Sequence, residues 1–399
     1  MKTRHSGTKA MGGFISCLAS LLSIAVGLLV GLAVLFSLNA PYALVGFNRI
    51  LTTGVASLEK LAKVLYQAAP LMLCGLSVGF AFKTGLFNIG ASGQYTLGAF
   101  CALTASIQLQ LPWYLALIFA MIGGAVWGAI PGICKALWNV NEVITSIMFN
   151  WIGMFAVNMA ITNMPMMLAN AWGKSSIKDR TAALKDANQS AILPKLGLDE
   201  LMNSNYINIG IFIAIGVAIL MWIVLQKTTF GYELKACGHN RSASQYAGIN
   251  AKRNIILSMV VAGALSGLAG GVYYLSGTGQ YTLVKVLLPM GFNGIPVALL
   301  ASSHPLGTIF SALFISYIQV GGDALQPYFI KENIDIIISA IIYLSAFALL
   351  MKEMIGRLIL RKSNNKLEDD PEALPAAETS LAENEPLETA QVTKEGDEA

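Results

Sequence analysis

The sequence predicts an all-α polytopic membrane protein of about ten transmembrane helices, and three observations carry that prediction. The chain is 55% hydrophobic and only 12% charged, with mean hydropathy +0.62, more apolar surface than a soluble core of 399 residues can hide. Its charged residues are spaced so that long uncharged runs recur. Its Lys and Arg residues gather in a few connections.

Taken in order, the uncharged runs are Ala10–Asn48, Val64–Phe82, Thr84–Cys134, Val143–Gly173, Leu201–Gln226, Asn254–Val284, Val286–Gly322 and Ile336–Met351. A helix needs about 20 apolar residues to cross the hydrocarbon core, so Thr84–Cys134 and Val286–Gly322 each hold two spans. Leu111-Pro112-Trp113 and Ser303-His304-Pro305 mark their turns. The first apolar stretch, Gly13–Leu38, exceeds the roughly 7–15-residue core of a cleavable signal and reads as a retained helix.

Orientation follows the basic residues of the short connections. Lys2, Arg4 and Lys9 precede the first span; Lys227, Lys235, Arg241, Lys252 and Arg253 fill a central connection; Lys352, Arg357, Arg361, Lys362 and Lys366 follow the last. These three regions are expected on the cytoplasmic side, with both termini inside, in agreement with an even number of spans. Lys60, Lys63 and Lys285 fall on the outer side as mild exceptions.

Residues 1–352 are expected to form the membrane domain, with an extracytoplasmic loop at 164–206 and a cytoplasmic loop at 227–253. Residues 353–399 are expected to form a cytoplasmic tail. From Leu367 to Ala399 the tail holds eleven acidic residues, one Lys and no aromatic, a composition that buries too little to fold. The preceding residues then carry 25 basic against 11 acidic side chains, +14, so the whole-chain +4 is a sum of opposites.

Ion-coupled carriers commonly place an ionisable residue at the midplane, where its cost marks the mechanism. Here Glu142, Asp323 and Asp335 fall at span ends, which disfavours an ion-coupled carrier and favours a pore powered from outside the chain. The chain does not supply that power, because Gly173-Lys174-Ser175 lacks the earlier glycine of a phosphate-binding loop. His5, His239 and His304 lie apart, which argues against an enzyme. Cys17, Cys74, Cys101, Cys134 and Cys237 show neither a disulfide framework nor metal-ligand spacing. Gly124, Gly128 and Gly132, and again Gly263, Gly267 and Gly271, repeat every four residues, which lets helices approach closely.

Two stretches interrupt the apolar spans, Phe87-Asn88-Ile89-Gly90-Ala91-Ser92-Gly93-Gln94 and Met290-Gly291-Phe292-Asn293-Gly294-Ile295-Pro296. Each holds a Phe-Asn pair beside glycines, in halves that enter from opposite sides, as in inverted repeats whose broken helices meet at the midplane. A path lined by Asn88, Gln94, Asn150, Trp151, Asn158, Phe292 and Asn293 would suit a neutral, hydrogen-bonding solute. The same amides would serve equally as interhelical hydrogen bonds.

Three blocks give the chain a resemblance: Gly85-Leu86-Phe87-Asn88-Ile89-Gly90 with Gly93-Gln94; Gly231, Cys237, Gly238, Asn240, Tyr246, Ala247, Gly248 and Ile249; and Gly291-Phe292 through Ala298-Leu299-Leu300 with Pro305-Leu306-Gly307. With these it resembles the permease subunits of bacterial ATP-binding-cassette importers, in the branch that takes up branched-chain amino acids, ribose and nucleosides. The Phe-Asn-Ile-Gly-x-x-Gly-Gln form is closest to the nucleoside branch, although Ser92 stands where Glu is frequent.

The resemblance implies a multi-pass protein of the bacterial plasma membrane that imports nucleosides, or alternatively a simple sugar such as ribose. It implies a second permease, the same chain or a related one, two cytoplasmic ATPases that hold ATP and magnesium, an extracytoplasmic binding protein or lipoprotein, and no nucleic acid. The chain itself would be neither an enzyme nor a cofactor carrier. Gly231–Asn250 would be the coupling loop, with Gly231, Glu233, Gly238, Asn240, Arg241, Gln245, Tyr246 and Gly248 as its ATPase-coupling residues. Arg241, Gln245 and Tyr246 would face the ATPase, while Ala243, Ala247 and Ile249 would hold a single short helix against the membrane domain.

Overall fold

The computed structural model describes residues 2–173 and 179–347, with side chains from Leu21 onward. Outside these lie the side chains of Lys2, Arg4, Lys9 and Cys17, the residues Lys174, Ser175 and Lys178, and residues 348–399, with the basic cluster from Lys352 and the acidic tail. Among the described residues there is no β-strand, only two isolated bridges. Six helices among the described residues are long and apolar enough to cross a membrane. The protein is an all-helical polytopic membrane protein.

Helix α1 runs Lys2–Thr52 and breaks at Asn39 (φ −158°, ψ 84°), two residues before Pro41. Proline lacks the N–H that would continue the ladder and crowds the preceding turn. Ser57 caps α2, Leu58–Lys83, by accepting from Lys60 N–H. Helix α3, Ala91–Leu103, begins after the non-helical 85–90 stretch and closes with a π turn, Thr104–Gln108. Helix α4, Trp113–Trp138, ends on left-handed Asn139, and Asn141 then caps α5, Glu142–Thr162, by accepting from Val143 N–H.

Helix α6 spans Gly210–Lys227. Thr228 caps α7, Thr229–His239; Asn240 caps α8, Arg241–Tyr246; and Asn250 caps α9, Ala251–Tyr274. The coupling region is thus two helices rather than the single one expected, because extended Asn240 (φ −155°) turns the chain and accepts from Ala243 N–H. Helix α10, Pro289–Leu300, has Pro289 in its first turn, where no N–H is needed. Helices α11, Gly307–Asp323, and α12, Lys331–Ser345, follow.

The two glycine stripes meet each other. A Cβ at Gly124 would come within 2.2 Å of the Gly263 carbonyl, and one at Gly267 within 2.3 Å of the Ala120 carbonyl. Helices α4 and α9 are therefore in backbone contact, which only glycine permits. Gly98 of α3 meets Gly267 on the same terms, at 2.2 Å. Around this seam α2, α3, α4, α6 and α9 bury the principal core, from Leu71, Met72 and Leu73 to Leu265 and Val272. A second apolar cluster, with Leu35, Ile50, Phe329 and Ile337, joins α1 to α11 and α12.

The two ends of the bundle carry different elements. The described parts of the 164–206 segment, 164–173 and 179–206, cover one end, hydrogen-bonded to their neighbours. Asn188 Nδ2 donates to the carbonyls of Ser106 (2.9 Å) and Leu111 (3.1 Å), and Leu193 N–H to that of Leu275 (2.8 Å). Beneath it Tyr66, Tyr95, Tyr206, Tyr273, Tyr274 and Tyr281 form a continuous aromatic layer, with successive ring centroids 5.0–6.2 Å apart. Helices α7 and α8 occupy the opposite end.

Candidate functional site

Three places collect the polar side chains singled out in the sequence. The first lies inside the bundle, at the start of α3. Asn88 is fully buried; its Nδ2 donates to Ser77 Oγ (3.0 Å) and Gln94 Oε1 (2.8 Å), and Gln94 Nε2 donates back to Asn88 Oδ1 (3.0 Å). Ser266 Oγ reaches Ser77 at 2.9 Å, and Ser77 donates to the Ala262 carbonyl at 2.6 Å. Asn150 accepts from Gly93 N–H (2.8 Å) and donates to the Ile89 carbonyl (3.0 Å), pinning α5 to the broken entry of α3. Every one of these amides has its partners within the protein, and together they set the position of a helix that starts in mid-bundle.

The two broken helices abut. Ser92 Oγ donates to the Leu288 carbonyl at 2.8 Å, and a Cβ on Gly291 would come within 2.4 Å of Ser92 Cα. The N-termini of α3 and α10 thus share one small contact. Glutamate at position 92 would place a longer side chain at that junction.

The second place is a cavity of about 410 Å³ among α2, α10, α11 and α12, toward the end covered by the 164–206 segment. Gln67, Asn293, Gln319, Asp335, Ser339 and Tyr343 face it, with Asp323 at its edge. Asp323 is paired with Lys63 at 2.8 Å. Gln67 Oε1 is shielded from solvent and has no hydrogen-bond partner. The sequence reading found Asn293 but not the others. Their signal was the i, i+4, i+8 spacing of Asp335, Ser339 and Tyr343, which sets one polar stripe along α12.

The remaining members of the expected path stand elsewhere. Asn158 donates to the Val284 carbonyl (2.9 Å) and accepts from the Tyr281 hydroxyl (3.2 Å). Trp151 lies on the exposed face of α5, stacked on Phe155 with centroids 6.2 Å apart, and Phe292 is half-buried beside Asn293. The seven residues therefore do not converge on one surface.

The third place is the α7–α8 pair, whose cleft of about 580 Å³ is lined among others by Tyr232, Glu233, His239, Asn240, Ala243 and Ala247. Gly231, Leu234, Cys237 and Ser244 are the buried residues of the pair, with Cys237 Sγ 3.5 Å from Ser244 Oγ. This corrects one expectation: Ala243 and Ala247 are exposed, and Ser244, which donates to the Arg241 carbonyl at 2.7 Å, takes the inward position. Glu233 accepts from Asn254 Nδ2 at 3.0 Å and ties α7 to α9.

Two glycines seat the pair on the bundle. A Cβ at Gly231 would come within 2.2 Å of the Val224 carbonyl of α6, and one at Gly238 within 2.4 Å of the Lys83 carbonyl at the end of α2. Gly248 ends the pair with left-handed backbone (φ +82°) in open space. Arg241 is half-buried, Asn240 and Gln245 are exposed, and Tyr246 is 94% exposed. At the same end His304, in the turn before α11, is held below the ordinary imidazole range by burial, with Lys83 adding to the effect.

Residues 60–346 match the family described as branched-chain amino acid transport system / permease component. The chain is 34% identical to the guanosine ABC transporter permease protein NupP of Bacillus subtilis, over 87% of this chain and 98% of that one. It is 35% identical to the nucleoside ABC transporter permease protein NupB of Lactococcus lactis, over 85% and 93%. To the glucose ABC transporter permease protein TsgB13 of Haloferax volcanii it is 29% identical, over 77% and 80%. No solved structure matches the chain.

Proposed function

The chain belongs to the branched-chain amino acid transport system / permease component family, and from that premise we propose that it imports nucleosides. It is a membrane-spanning permease subunit of an ATP-binding-cassette importer. The observation that carries the choice of solute is the similarity, at 34% and 35% over nearly their whole length, to permeases named for guanosine and for nucleosides. The likeness to a glucose permease is weaker and shorter, and it is what favours a simple sugar such as ribose as the second reading.

In this reading the four shorter helices α3, α10, α11 and α12 join the six long ones to give ten spans. The halves opened by α2 and α9 are inverted repeats with α3 and α10 as their broken helices. The end bearing α7 and α8 faces the cytoplasm, as do both termini, in a bacterial plasma membrane. The end covered by the 164–206 segment faces outward and receives the solute-binding protein. A second permease, identical or related, completes the path.

ATP hydrolysis belongs to separate cytoplasmic ATPase subunits, which hold ATP and magnesium and seat on the α7–α8 cleft. Tyr246, Gln245 and Arg241 make that contact. Asn240 and Gly248 shape α8, Gly231 and Gly238 allow the pair to lie against α6 and α2, and Glu233 locks it to α9. Closure of the ATPases moves this pair as a unit, and the bundle alternates its access.

The test is uptake of labelled guanosine by cells with and without this chain, under ionophore and, separately, under ATP depletion. Uptake that depends on the chain, survives ionophore, stops without ATP and is competed by other nucleosides is the expected result. Loss under ionophore with ATP intact would point to an ion-coupled carrier, and competition by ribose alone would replace the solute.

A further inference from the structure

The cavity among α2, α10, α11 and α12 has a chemistry at odds with a lipid-facing surface. Asp335 and Ser339 are exposed on one side of α12, and Tyr343 continues the same stripe. Asp335 makes no ion pair or hydrogen bond among the described residues. An ionisable side chain in a membrane helix faces a water-filled space or another protein surface rather than lipid, because its charge is costly to desolvate. Gln67 Oε1, shielded and without a donor, is a second sign that something absent from the protein alone completes the site.

We propose that this cavity is the recognition site for the solute within the membrane domain, and that Asp335 reads a vicinal diol there. This rests on the reading of the chain as a nucleoside importer. A free carboxylate offers two acceptor oxygens, and a pair of adjacent hydroxyls offers two donors at matching spacing. Gln67 supplies a further acceptor. The carboxamides of Asn293 and Gln319 supply donors and acceptors without charge, which suits the polar edge of a heterocyclic base. Pro289, Ile338 and Ile342 provide apolar walls for its faces. At about 410 Å³ the space lies within the roughly 300–1,000 Å³ of ligand pockets.

The charge balance sets what is refused. Of the residues that line the cavity, Asp323 and Asp335 are the charged ones, and Asp323 is paired with Lys63. The cavity is therefore net negative and disfavours phosphorylated solutes. A nucleoside fits; a nucleotide meets like charge.

The experiment uses cells that express the whole transporter. Ser339→Cys is exposed to a membrane-impermeant methanethiosulfonate added from outside, with the unsubstituted protein as background and Glu332→Cys, on the same helix outside the cavity, as reference. Modification of Ser339→Cys that saturating guanosine slows about tenfold, with Glu332→Cys unaffected by guanosine, is expected. Asp335→Asn should raise the KM for guanosine about tenfold and allow guanosine monophosphate to compete.

An unreactive Ser339→Cys in a transporter that still works overturns the proposal, and so does reactivity that no imported solute alters. If the Ser339→Cys protein fails to reach the membrane, Asp335→Asn decides, and an unchanged KM overturns it. If the unsubstituted transporter imports a sugar and no nucleoside, that sugar becomes the protecting ligand. Protection by it retains the site while the nucleoside reading falls.

Discussion

Asn88 and Asn293 occupy the same Phe-Asn pattern in the sequence, at the openings of α3 and α10, yet the fold puts them to opposite uses. Asn88 is fully buried and exchanges hydrogen bonds with Gln94 and Ser77. Asn293 faces a cavity in which Gln67 Oε1 and Asp335 are unpartnered. A carboxamide's role is therefore set by whether its neighbours already satisfy it. Where partners are internal, removing the amide damages the fold; where they are missing, it removes something a solute would bind.

The harshest way to break this contrast is at the seam both regions depend on. Gly267→Leu forces the backbones of α3, α4 and α9 apart, since even a Cβ would lie 2.3 Å from the Ala120 carbonyl and 2.8 Å from Gly124 Cα. A fluorescent fusion of this variant should give no monodisperse peak on size exclusion, where the unsubstituted protein does. A milder cut sharpens the contrast directly. Asn88→Ala leaves Gln94 and Ser77 short of partners and should cost about 1–3 kcal/mol, read as a lower Tm with the KM for uptake unchanged. Asn293→Ala should do the reverse. The smallest effect is expected at the rim: Lys63→Gln removes a partly exposed ion pair, and its cost should stay below about 1 kcal/mol, barely moving Tm.

Much of the frame was legible because it is periodic. Glycines at every fourth residue announced close helix contact, and the structure adds that the two stripes pack on each other. The expected interruptions at Asn88 and Asn293 became the entries of α3 and α10. Other features had no local signature. Ser77 and Ser266 are 189 residues apart in the chain, and nothing near either marks the bond between them. The α7–α8 division turned on one extended residue, Asn240, inside a run that reads as helix throughout. Ala243 and Ala247 were expected to pack inward on the family resemblance alone, but the burial went to Ser244. The polar stripe of α12 was missed because Asp335 was read only as the end of a span.

Helix α2 links all three places described above, with Ser77 at the first. Its last residue, Lys83, lends its carbonyl to the backbone contact with Gly238 of α7, and Gln67 sits on the same helix at the cavity. Sixteen residues separate them, roughly 24 Å at 1.5 Å per residue. A force applied at α7 reaches the cavity along one unbroken piece of chain, without a relay of side chains. That rod has a built-in joint: Pro70, three residues from Gln67, cannot donate to the carbonyl of Tyr66, so the rod can flex just beside the cavity.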